Sequence, residues 1–506
     1  MRSKKALYNS ISALLLEFIS IICGFILPRV ILSAFGSAYN GLTTSITQFL
    51  SVVTLLRAGV GGVTRAALYK PLAENNMDRV NAIVNATQKF MRKIAWIFAT
   101  GLVVFSFVYP FAVRDSFEYW FSFALVLIMG IATFVQYYFA ITYQMLLIAE
   151  QKQYITAIIQ SFTLILNLIV SIVLIRYGCS IHIVKLGSAV VYCLNPLITV
   201  IYIKRKYKLD KRITPDNSAI SQRWDAFAHQ IAAYIQENTD VMVLTVFSTI
   251  AEVSVYSVYY MIANGVKKLL ATLTAGIEAL FGNMIALNDY DGLRRNMVRI
   301  EYILFSIGTI AYTCLFILVI PFVKVYTTGI TDANYVRPIF ALILTASQFV
   351  GCVRTPYQNL IDAAGHFKQT RNSAIIEAAI NITISVLAVV KFGLLGVAIG
   401  TLASTIYRSI YLMMYASKNI LQKTTLNFVK RILISLLEIA TVYTLTRLIV
   451  TVTVTDYFSW FIYAIVVGIV SCIVVLMYSI TFDRKNLFDC TKKILSIIKR
   501  GKRRII

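Results

Sequence analysis

Long apolar runs separated by short polar segments recur along the whole chain. Each run has roughly 18 residues or more, which is the length an α-helix needs to cross the hydrocarbon core of a bilayer. The pattern predicts 14 transmembrane helices: Ile11–Ala34, Leu42–Thr64, Ile94–Val113, Tyr119–Ile148, Ile155–Ile175, Ile183–Ile203, Phe227–Phe247, Val253–Leu287, Ile300–Val323, Val336–Ala363, Ser373–Val390, Leu394–Ser417, Ile432–Val450 and Phe458–Ile480.

One helix pair is repeated within the chain. The segment Tyr143–Gly178 resembles Tyr357–Gly393 at an offset of 214 residues, and several of the shared residues are polar, including Asn167/Asn381 and Ser171/Ser385. A chance similarity between two apolar helix pairs is the alternative. We interpret the repeat as a duplication that produced two six-helix lobes, an arrangement typical of transporters.

The duplication predicts the domain organisation of an all-α polytopic membrane protein. The N-lobe is 1–203, a basic linker is 204–225, the C-lobe is 226–417, and 418–506 holds two further helices and a basic tail. No segment between the spans is long enough to form a soluble catalytic domain. The chain is therefore not expected to be an enzyme.

Composition and charge agree with a membrane protein. The chain of 506 residues is 58% hydrophobic and carries a net charge of +25, with 48 Lys and Arg residues. With the N-terminus in the cytoplasm, 35 of these lie in inner segments and 7 in outer loops, so the positive-inside rule predicts that both termini are cytoplasmic. The same rule explains the basic charge without nucleic-acid binding. The seven Cys and three His suggest neither a disulfide framework nor a metal site.

Charged residues inside apolar spans are costly and usually face a protein interior or a wet cavity. In the second span, a stripe at steps of three and four ends at Arg57 and contains Thr43, Thr47, Ser51 and Thr54. The hydroxyls alone suit helix packing, and Arg57 could also reach toward the inner surface. We expect the stripe to face a cavity.

The seventh and eighth spans carry further charges. Glu237 and Asp240 lie in the seventh span and are candidates for coupling to H⁺ or Na⁺, while Lys267 and Lys268 lie near the middle of the eighth. An internal ion pair between a carboxylate and a lysine is the alternative. The eighth span is about 35 residues long and contains three glycines, which predicts a tilt, a break or an extension beyond the bilayer.

Two arginines complete the predicted set of basic residues. Arg354 shares one face of the tenth span with polar neighbours, and Arg29 lies near the outer end of the first span. With Arg57, Lys267 and Lys268, they outnumber the carboxylates expected to face them. A positively charged cavity favours an anionic substrate such as a phosphate group. No nucleotide-binding or other cofactor motif stands out, so we expect no cofactor beyond a coupling ion.

The first hundred residues resemble a polysaccharide flippase of the Wzx type, in the multidrug/oligosaccharidyl-lipid/polysaccharide exporter superfamily. The residues that carry the resemblance surround the first turn and the end of the second span: Pro28, Arg29, Ile31, Leu32, Phe35, Gly36, Tyr39, Gly41, Leu42, Arg57, Gly59, Gly61 and Arg65. The 14-span pattern extends the resemblance over the whole chain.

The resemblance implies alternating access of a central cationic cavity. It implies transport of an undecaprenyl-pyrophosphate-linked oligosaccharide across the bacterial inner membrane, for O-antigen, capsule or exopolysaccharide synthesis. The implied partners are this lipid-linked oligosaccharide, membrane lipids and other polysaccharide assembly proteins. In related flippases the first, second, seventh and eighth helices line the cavity with basic residues; Arg29, Arg57, Lys267 and Lys268 occupy those helices here, whereas Arg354 matches no family position.

Three other functions stay open. A drug or metabolite exporter of the same superfamily would favour carboxylates in its cavity, which the excess of basic residues argues against. A lipid II flippase would share the mechanism. A glycan polymerase or ligase belongs to a different class and would normally carry a large external loop with catalytic residues, but the predicted outer loops are short.

Overall fold

The computed structural model describes residues 2–207, 209–210, 212–220, 234–235, 238–274, 276–423, 425–449 and 453–492. Within these ranges the secondary structure is helical and contains no β-strand. The predicted fold class, an all-α polytopic membrane protein, is confirmed.

The helices fall into two compact units. The first contains Met1–Ser257 and Gly329–Ala333, and the second contains Val258–Thr328 and Asn334–Ile506. The division lies within the helix Ile250–Thr274, and it groups the described residues 238–257 with the first unit rather than with the sequence-defined C-lobe. The helices up to this division are α1 (Arg2–Phe35), α2 (Ser37–Leu50), α3 (Val53–Ala73), α4 (Met77–Ala112), α5 (Tyr119–Val135), α6 (Ile141–Ala149), α7 (Gln153–Arg176), α8 (Ile181–Lys206), α9 (Asn238–Phe247) and α10 (Ile250–Thr274).

The second unit continues from α10. Short π-helical segments join α5 to α6 at Gln136–Ala140 and follow the helix Leu394–Ala416 at Ser417–Leu421. The helices after α10 are α11 (Ile277–Ala286), α12 (Tyr290–Tyr326), α13 (Pro338–Ala363), α14 (Phe367–Phe392), α15 (Leu394–Ala416), α16 (Leu426–Ile449) and α17 (Tyr457–Phe482).

Twelve helical segments among the described residues are long and apolar enough to cross a membrane, and each corresponds to one of the 14 predicted spans. The second predicted span is instead divided into α2 and α3 by a turn at Ser51 and Val52. The Ser51 hydroxyl donates to the Gln48 carbonyl oxygen at 2.6 Å, and such local bonds compete with continued helix. Of the seventh span, the structure describes α9 and residues 234–235.

The repeated polar residues make the same kind of contact in each unit. Asn167 on α7 donates to the Tyr192 hydroxyl on α8 at 3.1 Å. Asn381, the equivalent residue on α14, donates to the Thr401 hydroxyl on α15, also at 3.1 Å. In an apolar medium a buried amide needs such a partner, so both copies keep one amide–hydroxyl bond that joins consecutive helices.

Two glycines bring α14 and α15 close together. Gly396 and Gly400 lie one turn apart on the face of α15 that packs against α14. A Cβ atom built at Gly400 would lie 2.2 Å from the Ser385 Oγ, and one at Gly396 would lie 2.3 Å from the carbonyl carbon of Ala388. This small-xxx-small spacing is the usual way for membrane helices to approach closely. The approach places charged side chains of both helices within reach of each other.

Candidate functional site

A buried ion network joins α13, α14 and α15 within the second unit. Arg354 on α13 donates from Nη1 to Glu377 Oε1 on α14 at 2.6 Å. The other carboxylate oxygen of Glu377 lies 3.5 Å from Nε of Arg408 on α15. One carboxylate therefore bridges two guanidinium groups, and we call these three residues the arginine–glutamate network.

Arg408 is fixed by further hydrogen bonds. Its Nη1 donates to the carbonyl oxygen of Thr370 at 3.0 Å and to the hydroxyl of Ser373, both near the start of α14. The side chain of Arg408 is 8% exposed, whereas that of Arg354 is 19% exposed. Arg354 is therefore the member of the network that a ligand can reach more easily.

The network has a surplus of positive charge. It contains two guanidinium groups and only one carboxylate, that of Glu377. Farther along α13, Gln358 donates to Asp362 at 2.8 Å, and this carboxylate is half-buried. The face of α13 thus carries Arg354, Gln358 and Asp362 at steps of four residues. Arg354 can offer a cation and hydrogen-bond donors to an anionic group, whereas Asp362 adds a negative charge that the Gln358 amide contacts.

The predicted lysines also belong to the second unit. Lys267 is exposed and Lys268 is half-buried, and both lie on α10. Of the three possibilities for the eighth span, which were a tilt, a break or an extension beyond the bilayer, a break is present: Gly276 has a φ of +112° and precedes α11. This left-handed conformation favours glycine, because a Cβ atom would crowd the backbone. Gly265 and Gly282 lie inside α10 and α11 instead.

The predicted stripe on the second span is divided by the turn at Ser51 and Val52. Thr43 is buried and Thr47 is exposed, and both hydroxyls donate to carbonyl oxygens of their own helix, at 3.2 and 2.7 Å. The side chains of Thr54 and Arg57 lie outside the described residues, although their backbone is part of α3. The cavity-facing stripe therefore stays a prediction.

Polar residues of α2 also contact α9 and α10 inside the first unit. Asn40 donates to Ser254 at 2.8 Å, Ser45 contacts Thr245 at 2.8 Å, and Gln48 donates to Asn238. The approach is close near the start of α10, because a Cβ atom at Gly41 would lie 1.9 Å from the carbonyl oxygen of Ile250. An aspartate, Asp332, accepts hydrogen bonds at the N-terminus of α2, from the Ser37 amide and hydroxyl at 2.6 Å each.

The candidates for ion coupling lie in or beside α9. Asp240 is 4% exposed and accepts a hydrogen bond from the Tyr256 hydroxyl at 2.9 Å. Glu237 lies outside the described residues. Arg29 is half-buried on α1, in the first unit. Asp240 and Arg354 are both bound to residues that were not among the predicted site residues: Asp240 to Tyr256, and Arg354 to Glu377, which Arg408 also contacts.

The sequence does contain a feature that marks Glu377 and Arg408 as candidates. Glu377 lies in the eleventh predicted span and Arg408 in the twelfth, so both are charges at membrane depth. Charged residues within spans are rare and usually paired with an opposite charge. Glu377 and Arg408 are therefore candidates for an ion pair with each other. Their pairing could not be derived from spacing, since it joins helices separated by a turn and depends on the direction of both side chains.

Comparison with solved structures gives matches over most of the chain. The structure of the lipid II flippase MurJ, in an inward closed conformation, is similar with a TM-score of 0.71 and 18% identity, covering 95% of this chain and 100% of the other. An inward-facing multidrug resistance MATE family transporter of the MOP superfamily gives a TM-score of 0.63 and 13% identity, covering 79% and 94%. A eukaryotic MATE transporter gives 0.57 and 14%, covering 82% and 95%.

Comparisons with protein-family models and with curated protein sequences give no match. The fold is that of multi-pass membrane transporters and flippases, as these three structures are described. Because the identities are below one fifth, the similarity concerns the fold.

Proposed function

We propose that the protein is a flippase of the Wzx type, which moves an undecaprenyl-pyrophosphate-linked oligosaccharide across the bacterial inner membrane by alternating access. The observation that carries this proposal is the arginine–glutamate network, in which two guanidinium groups share the single carboxylate of Glu377 at the depth of the membrane. A transporter that held a cation at this place would instead be expected to have a surplus of carboxylates.

The chemistry of the substrate explains the need for buried arginines. A pyrophosphate head must cross about 30 Å of hydrocarbon, where an unpaired anion is strongly disfavoured. Arginine offers several donors in a planar arrangement that matches phosphate oxygens in pairs. Arg354 retains a charge-assisted bond to Glu377, and its partial exposure leaves donors available to a phosphate.

We assign the other basic residues to the same path. Arg57, Lys267 and Lys268 would line the path of the pyrophosphate across the membrane, and Arg29 would lie at its outer gate. Asp240 and Glu237 would couple transport to H⁺ or Na⁺, since relays for such ions are built from intramembrane carboxylates. No cofactor is proposed. Other proteins of polysaccharide assembly and the surrounding lipids would be the partners.

Among transporters of this fold, the extent of the similarity favours a lipid-linked substrate. The lipid II flippase structure covers 95% of this chain, whereas the two MATE structures cover 79% and 82%. Lipid II carries a pyrophosphate too, so a lipid II flippase is the second candidate function. The excess of arginine over glutamate in the arginine–glutamate network supports either flippase function over that of a multidrug exporter.

Translocation by the purified protein in liposomes tests the proposal. We expect the protein to transfer an undecaprenyl-pyrophosphate-linked oligosaccharide between leaflets faster than protein-free liposomes do, and faster than it transfers lipid II. A glycan-modifying enzyme added outside the liposomes acts only on oligosaccharides in the outer leaflet. The rate at which the oligosaccharide is modified would therefore measure the transfer. Faster transfer of lipid II would favour the second candidate, and accumulation of a cationic dye without transfer of either lipid would contradict the proposal.

The orientation in the membrane is a separate proposal. The asymmetry of 35 inner against 7 outer basic residues supports a cytoplasmic location of both termini and of the linker 204–225. Reporter fusions after Ile480 and within this linker should both give cytoplasmic signals. A periplasmic signal from either fusion would contradict the proposed topology.

A further inference from the structure

A small cavity lies among α12, α16 and α17, away from the arginine–glutamate network. It has a volume of about 20 Å³, which is enough for one water molecule or a small ion. Its lining includes polar and ionisable side chains from α12, from α16 and from the residue that follows α17: Tyr302, Ser306, Arg431, Ser435, Glu438 and Asp483.

Glu438 is the unusual member of this lining. The residue is 5% exposed and lies near the middle of the membrane helix α16. Among the described residues it has no hydrogen-bond or ion-pair partner. The two other buried glutamates of the second unit differ: Glu301 accepts a bond from Tyr357 at 3.0 Å, and Glu377 binds two arginines.

The neighbouring cation is already matched. Arg431 Nη1 lies 3.8 Å from Asp483 Oδ2, and its guanidinium group stacks over the Tyr302 ring at 5.3 Å. If Glu438 were also ionised, the two carboxylates and one guanidinium around the cavity would leave one net negative charge. An ionised carboxylate without a partner is strongly disfavoured in such surroundings.

The remaining groups from the helices that pack on α16 are neutral or engaged elsewhere. From α12, Ser306 lines the cavity, and Glu301 is held by Tyr357. From α17, the Tyr478 hydroxyl contacts Thr441 at 3.0 Å, while Ser479 also lines the cavity. On α16 itself, Lys430 donates to the Phe482 carbonyl oxygen at 3.4 Å. None of these groups supplies the missing positive charge.

We propose that Glu438 and this cavity bind a single positive charge, either a proton on the carboxylate or a Na⁺ ion coordinated by it and by the lining hydroxyls. The site would lie where the C-terminal helix pair packs against α12. A role in coupling rests on the proposed transport function, but binding at the site does not.

Labelling with a hydrophobic carbodiimide tests the site, because this reagent reacts with protonated carboxyl groups in apolar surroundings. In the purified full-length protein we expect a mass adduct on Glu438 at about pH 6 that decreases at least tenfold by about pH 9, when the proton leaves. Added NaCl at constant pH, compared with choline chloride, identifies the ion: protection by Na⁺ indicates a Na⁺ site, and equal labelling in both salts indicates a proton site.

Glu377 is the matched control, since it is equally buried in the same unit but is ion-paired; it should not react. The variant Glu438→Gln should lose the adduct. Absence of labelling on Glu438 at every pH, or labelling unaffected by both pH and Na⁺, would overturn the proposal. Since no transport is measured, this failure is distinct from a failure to move the lipid-linked oligosaccharide.

Discussion

Replacing Glu377 with Gln is expected to destabilise the second unit more than replacing either of its arginine partners. The substitution would leave Arg408, which is 8% exposed, and Arg354 facing each other without a counter-charge. Breaking a buried pair from one side typically lowers the free energy of unfolding by about 3–5 kcal/mol. Arg354→Gln should have a smaller effect, because Glu377 would keep its contact with Arg408.

Unfolding in detergent micelles, followed by fluorescence, would measure these differences. Asp115→Asn is a matched control: this carboxylate lies 3.9 Å from Arg114 in a pair whose side chains are 77% and 98% exposed, and such pairs contribute little. If Glu377→Gln unfolded like Asp115→Asn, the network would not hold α13, α14 and α15 together. A larger effect of Arg354→Gln than of Glu377→Gln would contradict the bridging role of the carboxylate.

Removing the charge of Arg354 is expected to reduce translocation of the lipid-linked oligosaccharide at least tenfold, equivalent to about 1.4 kcal/mol. Arg354→Gln removes the cation that the pyrophosphate would meet, whereas Arg354→Lys keeps a positive charge and should retain more activity. Arg57→Ala and Lys268→Ala should behave in the same way: each should be less active than the conservative variant at the same position, Arg57→Lys or Lys268→Arg. Glycan display at the cell surface, divided by the amount of protein in the membrane, measures the effect.

The control for charge alone is Lys391→Ala, since Lys391 is an exposed cation in the last turn of α14. Its display should stay normal. Normal display in all three charge-removing variants would refute the cationic path. A loss of display that only follows a loss of protein would assign Arg354 to structure rather than to transport.

The membrane-spanning architecture could be predicted from the sequence because it depends on local properties. Twelve of the predicted spans agree with apolar helices among the described residues, since the thickness of the hydrocarbon sets the length of each run. The repeat was also visible, and its polar residues Asn167 and Asn381 turned out to make equivalent bonds. For the eighth span the sequence left a tilt, a break and an extension open, and the structure gives a break at Gly276, which has a left-handed conformation.

The interruption of the second span could not be predicted in this way. Neither Ser51 nor Val52 is a strong helix breaker, and hydropathy alone favoured one continuous helix from Leu42 to Thr64. The spacing of the hydroxyls suggested a shared face, but Thr43 and Thr47 bind carbonyl oxygens of their own helix. A polar side chain that can satisfy itself locally does not show by its position what it faces.

The sequence by itself determined that this chain crosses the membrane many times, that it contains a duplicated helix pair, and that most of its basic residues lie between the spans. The tertiary structure decided which charges meet. Gly400 lets α15 approach α14 closely, and this approach gives Arg408 the carboxylate that Arg354 also uses. The tertiary structure also decided that Glu438 is buried beside a cavity in which Arg431 is already paired with Asp483. Hydropathy depends on one helix at a time, whereas the pairing of charges depends on distances and directions between helices.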